Sequence, residues 1–256
     1  MKNIVALSAL VIATAVSQSF GRFTYSVLYI EIRDDFGLSN TAAGGIGSLN
    51  LVGYLIGSLL VAFTIGNFGL IKTAKYGLAG VVIGLLLLSW SPNSFIALLA
   101  LFLTGLSAAG VWITTPALAT NLLGPDRKGL AIGWVTTGVG LGFFAACVFD
   151  AVITDWRSVY GLETIIGFAA LGMLVLTITT SANPASGSGL SPTALKQIPG
   201  WLNLCVTYGF FAVGVSLAMT FSAALLEEDA GFKEGSASLT FALIGLGLAL
   251  GGPIII

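Results

Sequence analysis

The chain has 256 residues, of which 56% are hydrophobic and 8% charged; it carries ten basic side chains, eleven acidic ones, no histidine and a formal charge of −1. A soluble domain has roughly 25% charged residues, so a water-facing surface over this length is excluded and the solvent around the chain is lipid. The missing histidines exclude His-ligated metal sites and Ser-His triads. No metal or other cofactor is expected, and no segment is basic and soluble enough to bind nucleic acid.

The chain reads as an all-α polytopic membrane protein, with about eight transmembrane helices near 4–30, 41–65, 70–90, 94–123, 130–150, 157–180, 201–226 and 236–256. Each run approaches the roughly 20 residues that cross a bilayer. Lys2 followed by apolar residues to Val16 could open a signal peptide, with a cleavage site after Ser17. The run continues through Phe20 to Ile30, which favours a span. The breaks between helices are short and polar, except for the stretch from Ser181 to Gly200. Its Asn183-Pro184-Ala185-Ser186-Gly187-Ser188-Gly189 is a flexible linker by composition. Cys147 and Cys205 both sit in apolar runs and read as small buried hydrophobes.

Placing the N-terminus in the cytoplasm puts Lys2, Lys72, Lys75, Arg127, Lys128 and Lys196 inside, and only Arg33, Arg157 and Lys233 outside. That bias satisfies the positive-inside rule. The acids Glu31, Asp34, Asp35, Asp150, Asp155, Glu227, Glu228, Asp229 and Glu234 then lie outside, with Asp126 inside.

A shift of 194 positions brings Asp35 onto Asp229, Gly37 onto Gly231, Gly53 onto Gly247 and Gly57 onto Gly251. An acidic outer loop followed by Gly-x-x-x-Gly thus recurs. The seventh and eighth spans read as a second copy of the first and second. The expected organisation is an N-terminal six-helix bundle over 1–180, a cytoplasmic linker over 181–200, and the first two helices of a second bundle over 201–256. On that pattern four further helices are expected beyond Ile256.

Ionised side chains within spans cost several kcal/mol on most scales and need a reason. Arg22 and Glu163 are the two. At 1.5 Å per residue both lie roughly 10 Å below the outer end of their helices. Arg22 reads either as a cavity residue holding an anionic or polar substrate, or as half of a structural pair with Glu163. Glu163 reads either as a proton carrier or as an acid reaching interfacial water. Tyr25 and Tyr29 fall on the helical face of Arg22 and suit a polar cavity wall. Asn50, Tyr54, Trp112, Thr115, Trp134 and Tyr208 complete the cavity candidates. Pro116 is expected to kink its helix and free carbonyls. Gly53, Gly57, Gly138, Gly142, Gly247 and Gly251 are expected at helix–helix contacts. The run Gly138-x-Gly140-x-Gly142 lies inside a span with no preceding strand, so close packing explains it better than a nucleotide loop.

The stretches Gly21-Arg22-Phe23-x-Tyr25, Asp35-Phe36-Gly37-Leu38-Ser39, Ala43-Gly44 and Asn50-Leu51-x-Gly53-Tyr54-Leu55-x-Gly57 resemble the YbfB/YjiJ-like branch of the major facilitator superfamily. Weaker matches follow at Gly105-Leu106-x-Ala108, Arg127-Lys128-Gly129-x-Ala131-x-Gly133 and Asp155-Trp156-Arg157. The resemblance implies a twelve-helix rocker-switch transporter of a small solute in a bacterial inner membrane, with a coupling ion such as H+ as a further partner. Two departures accompany it. Where the superfamily's loop between helices 2 and 3 reads Gly-x-Leu-Ala-Asp, Gly57-Ser58-Leu59-Leu60-Val61 has Val61 for the Asp. Leu101 stands where helix 4 often carries Arg.

The expected function is a secondary transporter, active or facilitative, working by alternating access. A channel, or a receptor or assembly subunit that moves no solute, is the alternative. A membrane enzyme is disfavoured by the lack of His and of paired acids within the spans.

Overall fold

The structure is a computed structural model that describes residues 2–179, 197–232 and 236–254. Lys196, Lys233, Glu234 and most of the linker expected over 181–200 lie outside the described residues. Gln197–Gly200, at the end of that linker, forms a turn.

The first rod is not one regular helix. It runs as α1 (Lys2–Thr14), a π-helix (Ala15–Phe23), α2 (Thr24–Val27) and α3 (Tyr29–Asp35). The Thr24 amide donates to the Ser19 carbonyl five residues back, the wide-turn bond of a π-helix. Leu28, at φ −89° and ψ 15°, separates α2 from α3.

Residues 40–89 form α4 (Asn40–Ser89), which is divided at Gly69, where φ is 73°. That left-handed value is open to glycine and strained for other residues. The chain therefore reverses at Gly69, between the spans expected over 41–65 and 70–90. Gly57–Val61 is helix interior, as the span expected over 41–65 requires. Next come α5 (Ser94–Leu123), a 3-10 turn at Pro125–Arg127, α6 (Lys128–Val152) and α7 (Trp156–Thr177). The last described elements are α8 (Trp201–Ala224), a π turn at Leu225–Asp229 and α9 (Ser236–Ile254). With α4 counted as two rods, the described residues form the eight-rod all-α membrane fold expected. Among the described residues, five helices, α4 taken as one, are long and apolar enough to cross a membrane. α5 runs through Pro116 as one helix, and the Thr120 hydroxyl donates to the Pro116 carbonyl at 2.8 Å.

The first rod is the hub of the bundle, and polar side chains stitch it to its neighbours. Gln18 donates to the Ala108 carbonyl at 3.1 Å, Ser19 to the Val139 carbonyl at 2.7 Å, and Thr14 to the Thr115 hydroxyl at 3.3 Å. Around these bonds lies a core that includes Leu10, Val16, Leu78, Leu85, Leu101 and Tyr160.

Glycines set the closest approaches. A Cβ on Gly53 or Gly57 would overlap the backbone at Phe102 and Leu106, and one on Gly138 would overlap Val11. Gly142 faces Ser19 and the Ala15 carbonyl. A Cβ on Gly247 would meet nothing within 4 Å beyond its own helix. In α9 the tight contacts belong to Gly245 against Phe144, Ala249 against Gly140, and Gly252 against Gly133. The contact stripe is thus 245, 249, 252, while Gly247 and Gly251 line a second cavity against α6. The loops of the repeat do correspond: Gly37 and Gly231 are both left-handed, at φ 60° and 70°, and each follows a helix end.

Two segments that carry the family resemblance meet the turn at Ser91 at one end of the bundle. Arg157 forms an ion pair with Asp35 at 2.9 Å and donates from Nε and Nη2 to the Ser91 carbonyl at 3.2 and 3.1 Å. Its guanidinium lies over Trp156, 4.2 Å from the ring centroid, and Trp156 meets Phe36 edge-on.

Candidate functional site

A cavity of about 780 Å³ opens between the first rod, α4, α5, α6, α8 and α9. The first rod contributes Gln18, Arg22 and Phe23, all from its π-helix, and α4 contributes Leu51, Tyr54 and Leu55. Trp112 comes from α5 and Thr136, Val139 and Phe143 from α6. The α8 wall includes Tyr208, Ala212 and Val213, and α9 adds Leu248.

Arg22 is held on three sides. Its Nη1 donates to Gln18 Oε1 at 3.0 Å. Its guanidinium stacks 4.0 Å from the centroid of the Tyr54 ring and 5.5 Å from that of Phe23. Nε is buried with no acceptor. A cation at this depth is costly, and stacking on Tyr54 offsets part of that cost without using the in-plane donors.

Of the nine cavity candidates, Arg22, Tyr54, Trp112 and Tyr208 line the cavity, Tyr208 with most of its surface exposed. The other five are elsewhere. Tyr25 is buried and donates to the Ala43 carbonyl at 2.7 Å, and Tyr29 donates to the Asn40 carbonyl. Both seat the first rod on α4. The π-helix ends at Phe23 and the rod breaks at Leu28, so the regular helical spacing that put Tyr25 and Tyr29 with Arg22 does not hold there. Asn50 is buried and donates from Nδ2 to the Gly21 carbonyl, the Leu101 carbonyl and Thr104 Oγ1, each at 2.9 Å. It ties three rods together. Thr115 is buried against Thr14. Trp134 points outward, 41% exposed.

Glu163 is fully buried away from the cavity, with Oε1 accepting from the Thr24 hydroxyl at 2.6 Å. Its Oε2 and the nearby Tyr160 hydroxyl are buried without partners. Arg22 and Glu163 are not paired: Arg22 turns to Gln18 and Tyr54, and Glu163 to Thr24. Nor does Glu163 reach interfacial water. Cys147 is buried as expected, whereas Cys205 is exposed on α8. Among the described residues no cluster of His, Cys, Asp or Glu could hold a metal ion.

Gln18, Phe23, Val139 and Phe143 were not among the sequence candidates. Gln18 had a readable signal, an amide one helical turn before the Arg within the span. The three apolar residues had none, because a cavity wall and a lipid-facing wall use the same side chains.

The fold and this cavity define a polytopic helical membrane protein with an internal, cation-bearing pocket. The family described as Major Facilitator Superfamily matches residues 11–256, and the chain belongs to it. It is similar to monocarboxylate transporter 9 of Pongo abelii, with 28% identity over 148 residues, 58% of this chain and 29% of the relative. It is also similar in fold to a bacterial homolog of the human lysosomal transporter Spinster, solved inward-facing and unoccupied. There the TM-score is 0.73 and identity 16%, over 97% of this chain and 60% of that one. A D-xylose-proton symporter gives a TM-score of 0.62 at 15% identity, over 95% and 65%. At these identities the two solved structures show the fold alone. The chain spans about a third of the length of the curated relatives it matches.

Proposed function

We propose that the chain forms the solute-carrying body of a secondary transporter, active or facilitative, that works by alternating access. The observation that carries this reading is the cavity of about 780 Å³, walled by helices from both ends of the chain, with Arg22 on its wall. Solute sites of such proteins lie between repeated helical units, near the middle of the membrane. The repeat supports one unit over 1–180, a linker over 181–200 and a second unit opening at 201–256. The similar proteins include a monocarboxylate transporter and a D-xylose-proton symporter, so they do not converge on one solute.

A bacterial inner membrane with a cytoplasmic N-terminus is the orientation we favour. Asp35, Ser91 and Arg157 gather at one end of the bundle. Asn3 meets Leu122 and Lys75 meets Val175 at the other. The basic residues Lys72, Lys75, Arg127 and Lys128 therefore share an end, which the positive-inside rule assigns to the cytoplasm.

A proton is the coupling ion we favour, with Glu163 as its carrier. The support is a buried carboxyl with one unpartnered oxygen, bonded to the first rod through Thr24. Glu163→Gln is expected to keep solute counterflow and to lose accumulation driven by an imposed pH gradient. Unchanged pH-driven accumulation would remove Glu163 from the coupling role.

Counterflow in proteoliposomes tests the transporter reading. Saturable exchange of labelled for unlabelled solute is expected. Conductance without saturable exchange would mean a channel instead.

A further inference from the structure

We propose that the cavity takes a flat, apolar monoanion, a carboxylate whose two oxygens lie side-on against the Nε–Nη2 edge of Arg22. This rests on the reading of the cavity as the solute site.

The orientation of Arg22 selects the edge. A guanidinium has five donors in one plane, matched to the two oxygens of a carboxylate. The face of the plane is used by Tyr54, and Nη1 is used by Gln18. The Gln18 amide cannot turn away freely, because its Nε2 is itself committed to the Ala108 carbonyl. The edge formed by Nε and Nη2 remains, and Nε is buried with no acceptor. A buried charged donor left open is expensive, and a carboxylate seated side-on closes it.

Charge count sets the valence. Among the described residues lining the cavity, Arg22 is the one charged side chain. One anionic group balances it, whereas a dianion would bring a second charge with no partner into an apolar enclosure.

The remaining walls set the body. Phe23, Trp112 and Phe143 offer aromatic and apolar surface. Of the polar lining, Gln18 is spent as above and the Thr136 hydroxyl donates to its own helix at Ile132, which leaves the Tyr54 and Tyr208 hydroxyls and the Trp112 indole N–H as isolated groups on an otherwise apolar wall. A polyhydroxylated solute such as a sugar would leave most of its hydroxyls unmatched there. A flat hydrocarbon body would not.

The purified 256-residue chain in detergent is titrated by calorimetry with benzoate, benzamide, phthalate and D-xylose, and helicity is checked by circular dichroism. Benzoate should bind saturably. Benzamide, phthalate and xylose should each be weaker by about tenfold or more, because each lacks the single carboxylate, adds a second charge or lacks the apolar body. Arg22→Lys should weaken benzoate by about tenfold, since an ammonium keeps the charge but not the two-donor edge. Benzamide binding as tightly as benzoate overturns the proposal, and so does an unchanged affinity in folded Arg22→Lys. Absence of benzoate binding by the folded wild-type chain also overturns it. Benzoate binding without counterflow in proteoliposomes would sink the transporter reading and leave the ligand class standing. Counterflow of a neutral solute that benzoate does not inhibit would do the reverse.

Discussion

Asn50 and Arg22 sit on adjacent rods and are both polar groups in an apolar setting, yet they are satisfied in opposite ways. The Asn50 amide spends its donors on Gly21, Leu101 and Thr104, so it is closed to a solute. Arg22 spends one donor on Gln18 and keeps an edge open. The difference separates a fastening from a binding group. Asn50→Leu removes bonds to carbonyls in two neighbouring rods. Hydrogen bonds between membrane helices are worth about 0.6 kcal/mol on average and up to about 1.7. We expect Asn50→Leu to lower stability in detergent by about 1–2 kcal/mol, read as a drop in the midpoint of thermal unfolding. An unchanged midpoint would mean that the three contacts hold nothing.

At the scale of elements, small residues and caps decide where the rods lie. Gly57 abuts the Leu106 backbone, so Gly57→Val must push α5 away, and overpacking of this kind costs about 1–3 kcal/mol. Gly247 has open space around it, so Gly247→Ala is expected to be neutral or stabilising by up to about 1 kcal/mol through helix propensity. Side-by-side melting curves test the contrast, and equal losses for both would refute it. α7 begins at Asp155, whose carboxylate accepts from the Ser158 hydroxyl at 2.7 Å and from the amides of Arg157 and Ser158. These bonds, the Ser158 hydroxyl foremost, hold the Asp155 carboxyl below its ordinary range. A lowered folded-state value means that the cap contributes stability above the unfolded value, near 3.9. That contribution fades as pH falls through the lower folded value. Asp155→Ala should therefore destabilise by about 1 kcal/mol at neutral pH, as for other N-caps. The gap between variant and wild type should narrow in acid. A gap that stays constant down to pH 2 would show that the carboxylate charge is not what caps the helix.

Across the whole molecule, Arg157 joins three segments far apart in the chain: Asp35, Ser91 and its own neighbour Trp156. Because the pair is part-exposed, the charge attraction is a small share of its worth. The larger share is the two bonds to the Ser91 carbonyl and the aromatic stack. Arg157→Ala is expected to loosen that end of the bundle and to raise the rate of limited proteolysis at the 36–39 and 90–93 turns. Arg157→Lys should restore the ion pair but not the paired bonds. Proteolysis no faster than in wild type would remove the clasp.

The rods, their ends and their alternation between two sides were legible in the sequence, because length and hydropathy are properties of a segment by itself. So was the exceptional status of Arg22 and Glu163, since a charge in an apolar run stands out without any neighbour. The left-handed glycines at 37 and 231 matched across the repeat for the same reason. What each polar side chain faces was not legible. The π-helix over 15–23 and the break at Leu28 turned Arg22 to the cavity and Tyr25 to α4, and nothing in the spacing of residues announces a wide turn. The contact face of α9 fell on Gly245 and Gly252 rather than Gly247, because which small residue meets a neighbour depends on how two helices cross. Counting residues puts Arg22 and Glu163 at similar depth, yet they face different partners. Depth follows from counting residues along one helix, whereas direction is set by how several helices pack together.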